Sequence, residues 1–211
     1  MPKPVDLENW NRRDAYEFFR SYDDPFFNVT VSLDATELLN HCKENGYSFS
    51  AACIYFSTRS ANDIREFRIR IVGDELIEYD LVEATQTLLM DDDSFKFCYF
   101  PMCETLEEFD RSAVKAVDKY KKLKTFDVES DRLDLIYYSV LPWLPFTSFK
   151  HASKFDRLQT VPRIVFGKYG VTGGQHMIPV SVEVNHMIMD GIHVGQYVDR
   201  LQKYFDTCGV C

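Results

Sequence analysis

The sequence predicts a two-layer α/β fold in which helices pack on a mostly antiparallel mixed sheet. Several short segments alternate apolar and polar residues, which is the period of half-buried strands. Other segments repeat apolar residues every three or four positions, which is the period of helices that bury one side. No internal repeat or low-complexity linker divides the 211 residues, so we expect one domain over residues 1–211.

The first third of the chain contains three predicted helices and one strand. Trp10 to Arg20 has helical spacing, and Phe27 to Leu33 alternates as a strand. Asp34-x-x-Glu37 resembles a capping box for the second helix, and Gly46 suits its C-terminal end. The apolar stretch from Ser48 to Phe56 predicts a third helix that is central and buried.

A hairpin and an amphipathic helix are predicted in the middle of the chain. Phe67 to Ile71 alternates apolar residues with arginines, and Gly73-Asp74 turns the chain into Leu76 to Tyr79. The acidic run at residues 91–93 is interpreted as a solvated loop. Leu106 to Tyr120 carries apolar residues on one helical face.

The last third predicts strands followed by a closing helix. The strands are Leu135 to Leu141, Arg163 to Tyr169 and Met177 to His186, with Gly170 to Gly174 as a hairpin loop between the last two. The helix is Val194 to Phe205.

Composition and charge exclude several classes of protein. The formal net charge is -9, which argues against nucleic acid as a partner because such proteins carry a basic face. No apolar run approaches the roughly 20 residues that span a membrane. The segment Met-Pro-Lys-Pro-Val-Asp lacks the apolar core of a secretion signal, so we expect a cytoplasmic protein with reduced cysteines. Cys208-Gly-Val-Cys211 has the spacing of a redox motif, but nothing near it in sequence would lower a thiol pKa.

One histidine is a candidate for catalysis. His186 shares the two-residue phase of the aliphatic residues of its strand, so it points to their buried side. Partial desolvation favours a neutral imidazole, which accepts a proton. From His186 and Asp190 alone, a core histidine followed by a turn aspartate remains an open interpretation. No Gly-x-Ser-x-Gly elbow is present for a common hydrolase, and His176, His186 and His193 fit no common zinc pattern.

Several motifs resemble one known family in the same order over nearly the whole chain. Residues 185–193, Asn-His-Met-Ile-Met-Asp-Gly-Ile-His, resemble the His-His-x-x-x-Asp-Gly-Phe-His signature of the chloramphenicol acetyltransferases. The shorter matches are Asn9-Trp10-Asn11-Arg12-Arg13, Glu66-Phe67-Arg68, Ser139-Val140-Leu141-Pro142-Trp143 with Thr147-Ser148-Phe149, and Phe166-Gly167-Lys168-Tyr169.

The resemblance implies a CoA-dependent acyltransferase fold and transfer of acetyl from acetyl-CoA to a hydroxyl of chloramphenicol, without a metal. It assigns His186 as general base and Ser139 as oxyanion donor, because attack of an alcohol on a thioester needs both kinds of help. It pairs Asp190 with Arg12 rather than with the histidine. It also implies a homotrimer with sites between subunits, and the residues it places near CoA are Trp143, Lys168 and Tyr169.

The sequence departs from the family pattern at several positions. Asn185 replaces the first histidine of the signature, Val165 replaces a threonine that helps to hold a water, and Ser50 replaces a tyrosine near the cofactor. The acceptor pocket implied by the resemblance consists of Phe18, Phe19, Pro25, Phe27 and His151, of which Pro25 and His151 differ from the drug enzymes. A changed pocket alters the acceptor while leaving the chemistry intact. Two alternatives therefore remain: an O-acetyltransferase for another alcohol, and a non-catalytic protein that binds a hydrophobic ligand.

Overall fold

The described part of the chain forms one main sheet, one small sheet and five α-helices. The structure, a computed structural model, describes residues 2–123, 125, 126, 129, 131–152, 156 and 158–209. The helices are α1 (Arg13–Phe19), α2 (Thr36–Asn45), α3 (Phe49–Asn62), α4 (Leu106–Lys122) and α5 (Gly191–Thr207). The strands are β1 (Lys3–Pro4), β2 (Phe26–Asp34), β3 (Ile69–Val72), β4 (Glu75–Glu78), β5 (Glu83–Leu89), β6 (Phe95–Phe100), β7 (Leu135–Val140), β8 (Arg163–Phe166), β9 (Gly170–Thr172) and β10 (Gln175–Asn185).

The main sheet has the strand order β2-β10-β8-β7-β5-β6, and β9 pairs with β10. The β5–β7 and β7–β8 pairs are parallel, and the other pairs are antiparallel. The small sheet has the order β1-β4-β3. This arrangement confirms the predicted mixed, mostly antiparallel α/β fold.

Helix α3 lies at the centre of the helical layer. Ten of its residues are buried, as the apolar stretch predicts. Its N-cap residue, Ser48, accepts a hydrogen bond from the Ala51 amide at 3.3 Å. Gly46 ends α2 with a left-handed φ of 71°, as predicted. The predicted capping box at Asp34 is wrong because Ala35 is the N-cap of α2, and Asp34 instead accepts from the Thr36 amide at 2.9 Å.

The strand predictions need three corrections. Strands β5 and β6 were not predicted, because the threonines and glutamine of β5 hide its alternation and a single buried alanine marks its inner face. Strand β8 ends at Phe166 rather than Tyr169. The predicted loop at Gly170 to Gly174 is shorter, because β9 pairs with β10 up to Thr172 and leaves Gly173-Gly174 as the turn.

Arg70 is fully buried, although its alternation with apolar neighbours placed it on a polar face. Its guanidinium donates hydrogen bonds of 2.7–2.8 Å to four backbone carbonyl oxygens, those of Phe67, Ile69, Leu133 and Leu135. Burial lowers the pKa of Arg70 to about 10. Because two of these carbonyls belong to the chain entering or starting β7, Arg70 ties the small sheet to the main sheet.

Five of the six cysteines lie in the residues that the structure describes. Within the described residues, Cys42, Cys53, Cys98, Cys103 and Cys208 are free thiols. Burial raises the pKa of Cys208, whereas Cys211 of the possible redox motif lies outside the described residues. In the part of the chain that the structure describes, no helix is long and apolar enough to cross a membrane.

The role of Arg70 predicts a large effect of its removal. Arg70→Leu leaves four buried carbonyl oxygens without their donor, and we expect the free energy of unfolding to fall by about 3 kcal/mol or more. Urea denaturation measures this loss. Arg111→Leu is the matched control, because Arg111 is exposed and its ion pair with Glu107, at 3.7 Å, is also exposed. A loss for Arg70→Leu no larger than that of the control would contradict the assignment.

Candidate active site

The face of the main sheet opposite the helices is polar. Ser139 of β7, Val165 of β8 and Ser181 of β10 lie in register, so their side chains share this face. The adjacent row on the same face consists of Tyr137, Arg163, Glu183 and Asn28. Arg163 and Glu183 form an ion pair with both side chains at least nine-tenths buried. Ser181 donates to the Phe149 carbonyl oxygen at 3.3 Å and Arg163 donates to Gln159, so the chain itself covers this face at β8 and β10. Ser139 is partly exposed.

His186 follows β10 directly and lies against two aromatic rings. Its side chain is 30% exposed. The Phe19 ring stacks on the imidazole with 4.4 Å between centroids, and the Phe27 ring contacts it at 4.1 Å. Phe27 pairs with Val184 of β10, so His186 lies on the side of the aliphatic residues, as the strand phase predicts. The His186 amide donates to the Pro25 carbonyl oxygen at 2.9 Å, which fixes the backbone of the histidine.

Asp190 is held by a buried arginine from the N-terminal segment. Both Nη atoms of Arg12 donate to the Asp190 carboxylate, and the Nη2–Oδ1 distance is 3.0 Å. Arg12 also donates to the carbonyl oxygens of Ile188 at 2.8 Å and of His186 at 3.0 Å. These hydrogen bonds from Arg12 lower the pKa of Asp190. The carboxylate is therefore ionised at neutral pH and accepts hydrogen bonds only.

The structure corrects one expectation about Asp190. The resemblance pairs this residue with Arg12 alone, but its Oδ1 also lies 3.0 Å from Nδ1 of His186. Since an ionised carboxylate only accepts, Nδ1 of the neutral histidine carries the proton and Nε2 carries the lone pair. The contact arises because the chain turns immediately after β10 and brings residues 186 and 190 to one side of the turn.

Ser139 lies where two strands of the sheet separate. The β5–β7 ladder ends at the pair Gln86 and Tyr138, and the next residues, Thr87 and Ser139, are joined only through their hydroxyls at 3.4 Å. Ser139 is partly exposed. Its hydroxyl is therefore available to a ligand that enters at this gap.

Ser139 and His186 of one chain are far apart. Ser181 lies in register with Ser139 two strands away, and His186 is five residues further along β10. The separation is about 17 Å along the strand and about 10 Å across it. The two side chains also lie on opposite faces of the sheet, since Ser181 and Val184 point to opposite sides. The structure of one chain does not bring the predicted base and oxyanion donor together.

Two of the three predicted cofactor residues, Lys168 and Tyr169, line a cavity at the end of β7 and β8, and Trp143 is not part of its lining. This cavity has a volume of about 290 Å³, and its lining includes Lys168, Tyr169, Pro142 and Ser50. Trp143 is next to Pro142 and 52% exposed. A second cavity of about 490 Å³ also reaches Ser50, the position at which the sequence departs from the family tyrosine.

Gly167 forms the wall of the smaller cavity by allowing a close approach of the chain. A Cβ at this position would lie 2.9 Å from the Leu144 carbonyl oxygen and 2.6 Å from Pro179. The Lys168 amide donates to the same Leu144 oxygen at 2.9 Å. The close approach to Leu144 and Pro179 explains why residue 167 is a glycine. The hydrogen bond from Lys168 to Leu144 holds the segment that carries Pro142 and Trp143 against the end of β8.

The predicted acceptor residues form two separate groups. Phe19, Pro25 and Phe27 surround His186, and Phe18 lies beside Phe19 but is exposed. His151 lies instead with the Arg163–Glu183 pair, whose charges act on it. Burial lowers the pKa of His151, and its Nε2 is buried without a partner in the described residues. The chain segments that carry the two groups nevertheless meet, because Lys150 binds Asp24 at 3.1 Å and the Arg163 guanidinium lies 4.9 Å from the centre of the Phe26 ring.

The alternative zinc site is not assembled by the described residues. Within them, no group of three His, Cys, Asp or Glu side chains is placed to share a metal ion. His193 accepts a hydrogen bond from the Asp190 amide at Nδ1, and His176 contacts the Tyr169 ring.

The sequence reasoning missed two features of the site. Thr87, the neighbour of Ser139, could not be placed because β5 was not predicted. The buried pair Arg163–Glu183 was also missed, since each residue alone is an ordinary polar residue in an alternating strand. The one local signal is Glu183, a charged residue between the aliphatic residues Val182 and Val184 of β10, and its partner Arg163 begins β8 on the neighbouring strand.

The amino-acid sequence is similar to those of known chloramphenicol acetyltransferases. A family model described as chloramphenicol acetyltransferase matches residues 3–202. A chloramphenicol acetyltransferase from Proteus mirabilis is 29% identical over 213 residues, which cover 96% of this chain and 94% of the relative. Chloramphenicol acetyltransferase 3 from Escherichia coli is 30% identical over 201 residues, which cover 94% of each chain.

The structure is also similar to solved structures of acetyltransferases. A solved chloramphenicol acetyltransferase superposes with a TM-score of 0.91 at 24% identity and covers 97% of this chain and 100% of its own. A dihydrolipoamide acetyltransferase from Azotobacter vinelandii superposes with a TM-score of 0.69 at 14% identity over 91% of this chain and 85% of its own. At these identities the superpositions establish the fold.

The Arg12–Asp190 contact predicts a measurable change in acid titration. In the wild type, the lowered pKa of Asp190 stabilises the fold above about pH 4, and this contribution is lost as the pH falls further. Arg12→Met should raise the pKa of Asp190 toward its ordinary value and remove this part of the pH dependence. Carbon-13 NMR titration of the carboxyl measures the shift. Arg13→Met is the control, because Arg13 is the exposed neighbour of Arg12. If the pKa of Asp190 were equally low in Arg12→Met and Arg13→Met, the assignment would be refuted.

Proposed function

Because this chain belongs to the chloramphenicol acetyltransferase family, we propose that it transfers an acetyl group from acetyl-CoA to a hydroxyl of chloramphenicol. The chain is an acyltransferase with the fold of that family. The observation that carries the proposal is the His186–Asp190–Arg12 arrangement, in which a half-exposed imidazole keeps Nε2 as its acceptor atom. No other described histidine combines partial exposure with a carboxylate partner at hydrogen-bond distance at Nδ1.

His186 acts as the general base in this proposal. Nε2 accepts the proton of the acceptor hydroxyl as the oxygen attacks the thioester carbon, and the resulting imidazolium later returns the proton to the CoA thiolate. The Asp190 carboxylate at 3.0 Å from Nδ1 stabilises the imidazolium and keeps the ring in the required tautomer. The stacked Phe19 ring restricts the orientation of the imidazole and excludes water from one of its sides.

Ser139 acts as the oxyanion donor. Its hydroxyl lies at the gap between β5 and β7 and donates to the oxygen that becomes negative in the tetrahedral intermediate. Thr87 at 3.4 Å orients the serine hydroxyl by donating to it, because the single proton of Ser139 is directed at the oxyanion. Val165, in register with Ser139 and fully buried, supplies no polar group there. We therefore expect one fewer transition-state hydrogen bond than in enzymes with a polar residue at this position.

A neighbouring copy of the chain completes each site. The separation of Ser139 from His186 by about 17 Å along the sheet supports this, because a base must reach its proton within about 3 Å. A heterologous contact that places His186 of one copy beside Ser139 of the next gives a ring when the rotation between copies closes. We propose the homotrimer that the resemblance implies. The two groups of acceptor residues then form one pocket, with His186 and Phe27 from one subunit and His151 from the next.

Acetyl-CoA is the proposed co-substrate, and the cavity of about 290 Å³ is its proposed entry. The cavity lies under the gap at Ser139, since Val140 and Phe166 line it and are chain neighbours of the two residues in register there. Lys168 supplies a cation that suits the phosphates of CoA on an otherwise acidic protein. The exposed indole of Trp143 supplies apolar contact area at the same entry.

A second candidate function is acetylation of a different alcohol. The observation that favours it is His151, whose Nε2 is buried without a partner in the described residues and lies near the Arg163–Glu183 pair. A polar group in this position suits an acceptor that carries a hydrogen-bonding group, and an apolar ring would leave it unpaired. A non-catalytic ligand-binding role would require neither Ser139 nor the neutral His186.

The proposed function predicts the result of a thiol-release assay with acetyl-CoA and chloramphenicol. His186→Ala should lower kcat by about 10²- to 10⁴-fold, because the base is lost. Ser139→Ala should lower kcat by about 10²- to 10³-fold, because the oxyanion loses a donor. His41→Ala on α2 is the control for removing a histidine elsewhere. Wild-type thiol release no faster than that of His186→Ala would refute the mechanism, whereas His186-dependent turnover of other alcohols alone would support the second candidate.

The proposed assembly predicts complementation between two inactive variants. When His186→Ala and Ser139→Ala chains are co-expressed in equal amounts, random mixing in a ring gives about one quarter of the sites both wild-type residues. We expect kcat to recover to about that fraction of the wild type in purified mixed oligomers. Each variant expressed alone is the control. Activity of the mixture that equals the sum of the separate variants would show that the site lies within one chain.

A further inference from the structure

A second histidine of the signature contacts the backbone of Asp190. His193 is the third residue of α5, and its Nδ1 accepts a hydrogen bond from the Asp190 amide at 2.9 Å. A neutral imidazole has one acceptor nitrogen and one donor nitrogen, so the proton of His193 lies on Nε2. Asp190 therefore meets two histidines in opposite tautomers, with His186 donating to its carboxylate and His193 accepting from its amide.

Glu66 faces the protonated nitrogen of His193. Its Oε1 lies 3.7 Å from Nε2, and the two side chains are 15% and 14% exposed. At this distance and burial the negative charge favours the tautomer with the proton on Nε2. The opposite tautomer would direct an N–H group at the Asp190 amide and leave the Asp190 N–H without an acceptor.

The turn that carries Glu66 is held rigidly against α5. Glu66 belongs to a 3-10 turn at Arg65–Arg68, and both flanking arginines bind Glu78, at 2.9 Å and 3.2 Å. Phe67 is fully buried and stacks on Tyr197 of α5 with 5.1 Å between centroids. These contacts fix the turn relative to the helix, so the position of the Glu66 carboxylate beside His193 is determined by the fold.

We propose that Glu66 and His193 are positioning residues for His186, acting through Asp190. Glu66 selects the tautomer of His193, that tautomer holds the Asp190 amide, and the amide fixes the carboxylate that orients the base. The inference rests on the proposed function, since it needs His186 to be the base. It gives a role to the Glu66-Phe67-Arg68 segment and to the last histidine of the signature, neither of which touches the reacting atoms.

The first test separates the hydrogen bond of His193 from its link to Glu66. His193→Ala should lower kcat by about 10- to 100-fold and leave the KM of both substrates nearly unchanged, because orientation and not binding is lost. His193→Gln should restore most of that loss, because a glutamine at the third helical position accepts from the N-cap amide. A loss shared by His193→Ala and His193→Gln would overturn the proposal, and His41→Gln is the matched control.

The second test is a double-mutant comparison. Glu66→Ala should lower kcat several-fold in the wild type and have no effect in His193→Gln, because glutamine has no tautomer for Glu66 to select. A purely structural role of Glu66 would lower kcat and the thermal midpoint equally in both backgrounds, which would overturn the proposal. Glu44→Ala, an exposed glutamate on α2, is the control for charge removal.

The third test does not depend on turnover. With only five histidines in the chain, nitrogen-15 NMR of histidine-labelled protein reports the tautomer of each ring. We expect the Nε2–H form for His193 and the Nδ1–H form for His186, and Glu66→Gln should shift His193 toward a mixture. Wild-type tautomers other than these, or no shift in Glu66→Gln, would overturn the inference. Expected tautomers without His186-dependent acetyl transfer would instead reject the proposed function alone.

Discussion

The Arg12–Asp190 ion pair is the interaction on which the site depends. It joins the N-terminal segment before α1 to the turn between β10 and α5, two parts of the chain separated by 178 positions. Arg12 also donates to the carbonyl oxygens of Ile188 and His186, so one guanidinium satisfies the turn as well as the carboxylate. Because Arg12 is buried, losing Asp190 would leave the guanidinium charge in a poorly solvated place without its carboxylate partner. The position of His186 therefore depends on the packing of the N-terminal segment against the turn after β10.

The main sheet divides the candidate chemistry between two places. One face carries Ser139 on a polar surface with a buried ion pair, and the end of β10 carries His186 on the other side. The polar groups of Arg163, Ser181 and Glu183 are covered within the chain and have partners there, whereas Ser139 remains partly exposed. This partly exposed position is where the proposed assembly would bring a second copy and a hydroxylated substrate to the sheet.

The prediction of the fold from sequence succeeded where the local pattern was strong. The phases of β2, β7 and β10, the buried α3 and the amphipathic α4 all follow from apolar periodicity. It failed at β5 and β6, whose alternation is obscured by threonines and by exposed aromatics, and at Arg70, whose burial depends on carbonyl groups brought from a distant strand. Asp190 illustrates the limit for the site, since its position near His186 follows from the turn but its contact with Arg12 does not follow from any local pattern.

The amino-acid sequence by itself determined the phase of His186, the class of fold and, through its ordered motifs, the family. These are properties of neighbouring residues and of residue order, which short-range sterics and periodicity control. Only the tertiary structure decided that His193 meets Glu66 and that Ser139 lies far from His186 in one chain. The reason is that these distances depend on strand register and on packing between segments distant in sequence, where a shift of one residue reverses the direction of every side chain.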